Sequence, residues 1–441
     1  MRTRYLILLL LLACQAASAQ IFKFGDRVVF SGNSITHNGD YWHNVALYHA
    51  TRFPSTQVRF FNGGISGDVA SGMIRRLNDD ILIHKPTHVV VMIGMNDVNR
   101  PLYDARRKDE PGIRQKQLDA ISAYKRNVDS LVTLLLAAKV KVILQTPSIY
   151  DQTSKMAGNN LFGVNDALKE CGEFIKILGK KHNIPVVDYW TMMVESNKLA
   201  QATDSTATIV SKDRVHPAGP GHLLMGLEWL KAMKAEPFVS YMVIDQTTEK
   251  SQAKSKFCKI SGLKRGESEI SFTMLENALP FPLREDQKPA QLITDVLTQI
   301  SREMLFVHYL EPGDYTLYID DEKIGTWFSG ELERGLNLGL YENTPQYKQA
   351  QEIQKHMAEA WKLEKQLRDI RLVEHRFMKE LEAYTANPAA SGLDSANIKR
   401  SMAYQQSKPR ESEIRAAFER ASLVPAALRT PVAHQFRLVK Q

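Results

Sequence analysis

Ser34 stands in Phe30-Ser31-Gly32-Asn33-Ser34-Ile35-Thr36, and an acid and an imidazole share the distant run Asp213-Arg214-Val215-His216-Pro217. A serine hydroxyl is a weak nucleophile until a neighbouring base takes its proton. His216 is the candidate base, because imidazole titrates near neutrality. Asp213, three positions earlier, can hold the ring tautomer and stabilise the imidazolium. Attack on a carbonyl also needs donors for the oxyanion. The backbone N–H groups of Ser34 and Gly67 and the side-chain amide of Asn96 are the candidates. Gly67, in Asn62-Gly63-Gly64-Ile65-Ser66-Gly67-Asp68, lacks a Cβ and lets the backbone come close to a substrate. Asn96, in Ile93-Gly94-Met95-Asn96-Asp97, donates without being a competing base. Neighbouring Asn33, His37, Trp42 and Asp97 are candidate pocket residues. Packing is the preferred reading for His37 and Trp42, as it is for His222.

Three of these positions follow predicted strands. Strand patterns at Arg27–Phe30, Val58–Phe61, His88–Ile93, Val140–Gln145 and Pro185–Asp188 alternate with helical stretches. The helices are placed at Trp42–Arg52, Val69–Ile83, Asp119–Ala138, Asn165–His182 and Met192–Ala200. Such alternation predicts an α/β domain with a parallel sheet covered on both faces. In open sheets of this kind, sites form beyond the carboxyl ends of the strands. Ser34, Gly67 and Asn96 fall there.

From about residue 237 the pattern becomes β-rich, with strands at Val239–Ile244, Phe257–Ile260, Glu269–Met274 and Phe306–Leu310. Tyr315–Ile319 and Lys323–Trp327 flank Asp320-Asp321-Glu322, a hairpin signal. Thr344-Pro345 then offers a helix N-cap and first turn. A helically spaced apolar series follows: Ile353, Met357, Trp361, Leu367, Ile370, Phe377, Leu381 and Tyr384. So long a helix predicts a break or a partner surface. The expected division is a signal segment at 1–19, an α/β domain at 20–236, a β-rich module at 237–328 and a helical region at 329–441.

The order of the four blocks around Ser34, Gly67, Asn96 and His216, with Asp213 before the histidine, resembles the SGNH hydrolases, also called GDSL esterases and lipases. The resemblance spans about Lys23 to Ala235. It implies a three-layer α/β/α, flavodoxin-like domain that hydrolyses esters through a serine acyl-enzyme, without metal or cofactor. The first block usually reads Gly-Asp-Ser; here Asn33 replaces the aspartate, which removes a negative charge beside the nucleophile and can alter pH dependence. The other common serine-hydrolase pattern, Gly-x-Ser-x-Gly, does not occur here: Thr36 stands where its second glycine would be. Export and appended domains resemble bacterial enzymes that remove O-acetyl groups from carbohydrate. The alternatives are a lipid or aryl ester hydrolase and a catalytically silent glycan-binding protein.

Composition sets the outer bounds. The 441 residues are 44% hydrophobic and 24% charged, which excludes disordered, collagenous and disulfide-scaffold chains. Arg2 and Arg4, the apolar Tyr5–Ala13 and Ala17-Ser18-Ala19 read as an export signal cleaved after Ala19. That predicts a periplasmic or secreted protein. Leu11-Leu12-Ala13-Cys14 is a weaker lipoprotein alternative, with Cys14 as anchor. Cleavage lowers the net charge from +8 to +6, because the lost charges are Arg2 and Arg4. Acidic and basic residues interleave, with no basic stripe for nucleic acid. No later apolar run reaches the roughly 20 residues of a membrane helix. Cys171 and Cys258 can pair or stay free, and the long C-terminal helix is a candidate surface for self-association.

Overall fold

The computed structural model describes residues 21–246, 253–389 and 392–441. The expected export signal, Cys14 included, lies outside the described residues.

Five parallel strands form the central sheet: β1 (Arg27–Gly32), β2 (Arg59–Gly64), β3 (His88–Met92), β4 (Lys141–Gln145) and β5 (Val186–Val187). Their order is β2-β1-β3-β4-β5. A strand covered on both faces reads as an unbroken apolar run, and His88-Val89-Val90-Val91-Met92 is buried throughout. Alternate residues point to opposite faces. Phe30, Val90 and Met92 pack towards α2 (Tyr41–Arg52) and α7 (Gly219–Ala232). Val29, Val89 and Val91 pack towards α3 (Ala70–Arg75), α4 (Ile113–Ala137) and α5 (Val164–His182). The short α1 (Ser34–Asn38) follows β1, and α6 (Tyr189–Gln201) follows β5. The result is the three-layer α/β/α arrangement expected.

One element departs from expectation. The helix predicted over Val69–Ile83 stops at Arg75 and continues as a π-helical turn, Leu77–Ile81. The cause is Arg76, which turns inward and is buried. Its Nε donates to Asp68 at 2.7 Å, its Nη1 to Asp80 at 2.7 Å and to the Gly63 carbonyl at 2.8 Å, and its Nη2 to the Gly32 carbonyl at 3.3 Å. Regular helix spacing gives way to that burial.

The β-rich module is a pair of sheets. One has the order β13-β10-β6-β7, from β6 (Phe238–Asp245), β7 (Lys254–Lys256), β10 (Arg302–His308) and β13 (Leu336–Asn337). The other is β12-β11-β14-β9-β8, from β8 (Cys258–Arg265), β9 (Glu269–Glu276), β11 (Asp314–Ile319), β12 (Glu322–Phe328) and β14 (His434–Lys440). Met242, Leu305, Phe272, Leu317 and Phe436 share the core between them. The boundary drawn at 328 is therefore not the edge of this module, because β14 lies in the middle of its second sheet. In His434–Lys440, Phe436 and Leu438 alternate with polar residues; a strand this short, after a helical region, is easily overlooked. Cys171 and Cys258 are both free and belong to different parts of the fold.

The long helix α8 (Pro345–Arg376) is capped by Thr344, whose side chain accepts from Tyr347 N. The predicted break falls at Phe377, before α9 (Met378–Ala386). Several of its apolar residues pack into the cores of this chain. Ala350, Ile353 and Met357 join the core on one side of the sheet, while Ala360 and Leu367 join the core on the other. The helix thus crosses the open edge of β2. An edge strand exposes unpaired N–H and C=O groups, and here α8 satisfies them. Glu364 accepts from Asn62 N at 2.6 Å, and Arg368 donates to the Gly64 carbonyl at 3.0 and 3.2 Å.

Burial pushes the Glu364 carboxyl up to about 8, against the pull of the Asn62 amide and Arg368. The proton is therefore kept in the folded protein between the ordinary carboxyl value of 4.5 and about 8, while the unfolded chain releases it. Stability from this group falls as pH rises through that window. Glu364→Gln keeps the acceptor but does not titrate. Its melting temperature relative to wild type should rise steadily from pH 5 to 8 and level off above, measured by thermal melts across pH; a flat difference would contradict a buried neutral acid.

Candidate active site

β1 ends at Gly32, and Asn33 turns the chain into α1. Asn33 is the N-cap: its backbone is extended and its side-chain oxygen accepts from Ile35 N at 3.1 Å. An Asn cap does the same work as an Asp cap, which accounts for the departure at this block. Ser34 follows as the first helical residue, half-buried.

The Asp213–His216 loop is a tight return, closed by the Val210–Pro217 bridge and by Ser211 N donating to His216 O at 2.7 Å. Arg214 adopts left-handed backbone, φ 66°, and its buried guanidinium donates to the carbonyls of Asp151, Ser154 and Met156. That leaves the flanking Asp213 and His216 side chains to point outward. Ser34 Oγ lies 2.7 Å from His216 Nε2, and His216 Nδ1 lies 2.5 Å from Asp213 Oδ2. An ionised carboxylate can only accept, so Nδ1 carries the proton and Nε2 presents its lone pair to the serine hydroxyl. Burial would raise the Asp213 carboxyl. Hydrogen bonds from His216, Ser211 and the amides of His216 and Val215 outweigh it and hold the group well below the usual carboxylate range.

β2 and β3 supply the other two positions. Gly67 sits at φ 76°, in the left-handed region that favours glycine. Among the described residues, neither the Ser34 nor the Gly67 amide has an acceptor. Asn96 Nδ2 donates one hydrogen to the Asp68 carbonyl at 2.9 Å, leaving its second, and its Oδ1 accepts from Arg100 at 3.4 Å. Ser34, His216 and Asp213 are thus in hydrogen-bond contact at the end of β1, and Gly67 and Asn96 follow the carboxyl ends of β2 and β3, the strands on either side of it.

The four pocket candidates do not line that place. Asn33 is buried as a cap. Trp42 is fully buried, stacked on Phe30 with ring centroids 5.7 Å apart, and its indole donates to Thr36 O. His37 is buried with Nε2 3.1 Å from Asp369 on α8. Asp97 accepts from Ala70 N at 2.8 Å, and burial pushes its carboxyl up to about 7. Each candidate was adjacent in sequence, but its side chain turns into the core or onto a helix end. His222 is buried and stacked on Tyr41, a packing residue as read. Sequence reasoning missed Arg376, which donates to the Gly67 carbonyl from the end of α8. Nothing in its sequence surroundings marked it, since the residue one turn earlier on the same stripe is the buried Leu372.

Residues 21–229 match the family described as GDSL-like Lipase/Acylhydrolase. An acetylxylan esterase from Geobacillus stearothermophilus is 25% identical over 232 residues, 47% of this chain and 97% of that protein. The solved structure of BT4096, described as a gut microbial diltiazem-metabolizing enzyme, is 30% identical with a TM-score of 0.82, covering 95% of this chain and 98% of that one. Residues 21–229 are a domain of the GDSL-like lipase/acylhydrolase, or SGNH, family.

If Asn33 acts as a cap, Asn33→Ala should lower stability by about 1 kcal/mol, within the range of about 0.5–2 for lost caps. Asn33→Asp should leave it within about 0.5 kcal/mol, since Asp and Asn cap about equally well. Urea unfolding of the two variants beside wild type is the measurement.

Proposed function

We propose that this protein is a serine esterase working through an acyl-enzyme on Ser34. The carrying observation is the unbroken chain from Ser34 Oγ through the His216 ring to Asp213, beside the Ser34 and Gly67 amides, which have no acceptor among the described residues. As Ser34 Oγ attacks the ester carbonyl, His216 Nε2 takes its proton and Asp213 stabilises the imidazolium. The developing oxyanion accepts from the N–H groups of Ser34 and Gly67 and from the second hydrogen on Asn96 Nδ2. His216 then gives its proton to the departing alkoxide. Water enters, loses a proton to the same nitrogen and attacks the acyl-enzyme, and collapse returns Ser34 and releases the acid.

The substrate class that fits best is a short-chain, chiefly acetyl, ester on carbohydrate. The acetylxylan esterase relative supports it. So do the polar Asn99 and Arg100 after β3, of which Arg100 donates to Asn96, where a lipid-binding groove would be apolar. Among the described residues no helix is long and apolar enough to cross a membrane. The N-terminal segment supports an exported enzyme that meets such glycans outside the cytoplasm. A second reading, esters of small drug-like molecules, is favoured by the relative that spans nearly the whole chain. Acetate release from acetylated xylan and other acetylated glycans, beside turnover of diltiazem, separates the two.

Ser34→Ala and His216→Ala should each lower kcat by several orders of magnitude, and the double variant should cost little more, because the two act as one unit. Additive losses in steady-state assays would contradict this. Asn96→Ala should lower kcat by about 10²–10³-fold with little change in KM, the loss typical of one oxyanion donor. p-Nitrophenyl acetate should show a higher kcat/KM than the octanoate; the reverse order would favour a lipid-ester enzyme.

A further inference from the structure

Three groups on α8 grip the segment that runs from β2 into the site. Glu364 accepts from Asn62 N, Arg368 donates twice to Gly64 O, and Arg376 donates to Gly67 O. Positions 364, 368 and 376, with buried Leu372 between them, fall on one stripe of the helix. Their partners follow in the same order along the chain. From Arg368 to Arg376 the helix rises about 12 Å, and over that rise its contacts pass from Gly64 at the end of β2 to Gly67 in the turn beyond it. The helix therefore tracks the loop from the sheet edge to the site.

The last of the three differs from the others. Arg368 is buried and neutralised by Asp80. Arg376 is exposed and forms no ion pair among the described residues. A Cβ built on Gly67 would stand 3.0 Å from its Cζ and 3.1 Å from its Nη2, so the guanidinium lies directly over that glycine. The helix end that carries it is held by Arg400, whose Cζ stacks 3.8 Å above the Phe377 ring.

We propose that Arg376 is a positioning residue for ester hydrolysis, supplied to the α/β domain by the C-terminal helix. The inference rests on the reaction described above. Its donation to Gly67 O holds one side of the Gly67–Asp68 peptide, and Asp68 N donating to Ile65 O at 3.0 Å holds the other. On one side of that peptide lies the Gly67 N–H, and on the other lies the Asp68 carbonyl that orients the Asn96 amide. Both non-serine oxyanion donors thus depend on its orientation. Arg376 takes no proton and forms no bond to the acyl group; it sets where two donors point. The C-terminal region is on this account part of the catalytic unit.

The test uses full-length Arg376→Ala, Arg376→Lys and Ser34→Ala with p-nitrophenyl acetate. Misplacement of reacting groups by about 1 Å costs up to about 10²-fold. Arg376→Ala should accordingly lower kcat by about 10- to 100-fold with KM changed less than about twofold. Arg376→Lys should recover part of the loss, because an ammonium can still donate to Gly67 O. Melting temperatures should stay within about 2 °C, as for an exposed substitution. An Arg376→Ala kcat within about threefold of wild type, with Ser34→Ala inactive, overturns the role of Arg376 and leaves the reaction standing. A loss in KM alone also overturns it. Turnover by Ser34→Ala overturns the reaction itself. If Arg376→Ala does not fold, Arg376→Gln takes its place under the same thresholds.

Discussion

The carboxylate of Asp80 lies between two buried guanidinium groups, and the catalytic edge of the sheet is built around that contact. Arg76 reaches it at 2.7 Å from the π turn after α3, and Arg368 reaches it at 2.7 and 2.8 Å from α8. Burial alone would raise this carboxyl; Arg368 and then Arg76 outweigh it and hold it well below the usual range. Asp68 is also paired to Arg76, and Arg371 and His375 stand 4.0 Å from Asp80, so each buried carboxylate has a cation against it. The remaining donors go to the carbonyls of Gly32, Gly63 and Gly64, the last residues of β1 and β2. These are the points from which the chains to Ser34 and Gly67 depart. Breaking such a buried pair by removing one partner costs about 3–5 kcal/mol, because the other charge is left uncompensated. The same contact bends α3, docks α8 and sets two of the loops at the site.

The C-terminal half is tied to the α/β domain by further buried polar groups rather than by a simple linker. Arg52, at the end of α2, donates to the carbonyls of Phe238 and Ile300. Glu276 and Glu303 lie buried in the β-sandwich beside Gln346, whose amide donates to Glu303 at 3.2 Å. Burial pushes Glu276 up to about 7 and Glu303 well above its ordinary value, the latter helped by the neighbouring acid. A group that must shed its charge to fit the interior marks a seam closed by packing. The chain then returns through α8 and places β14 at the centre of the second sheet. Module and catalytic domain are consequently hard to separate, although they are consecutive in sequence for most of their length.

Much of this was legible from residue order. The five strands of the main sheet fall within a few residues of their predicted places, because a strand buried on both faces must be a short β-branched run. The Thr344 cap was readable from local chemistry, and the length of the helix that follows called for a break or a partner surface, but nothing in the series pointed to Phe377. Other features were not legible. Trp42 and His37 flank the nucleophile in sequence, yet the turn of α1 and α2 carries both side chains into packed surroundings. The helix predicted through Ile83 gives way after Arg75 because Arg76 turns inward to Asp68, Asp80 and the carbonyls that end β1 and β2, partners that only the folded chain brings together.

The sequence by itself determined the order of the catalytic blocks, the strand ends that present them and the acid–imidazole pairing of Asp213 with His216. All of these depend on spacing of a few residues, where geometry follows from the chain. Only the tertiary structure decided that Asn33 is a cap, that the Asp97 carboxyl turns inward onto Ala70 N, that α8 closes the β2 edge and that Arg376 stands over Gly67. Those outcomes depend on which groups must find partners once water is excluded. The partner for an edge amide or a loop carbonyl is chosen by packing, not by distance along the chain.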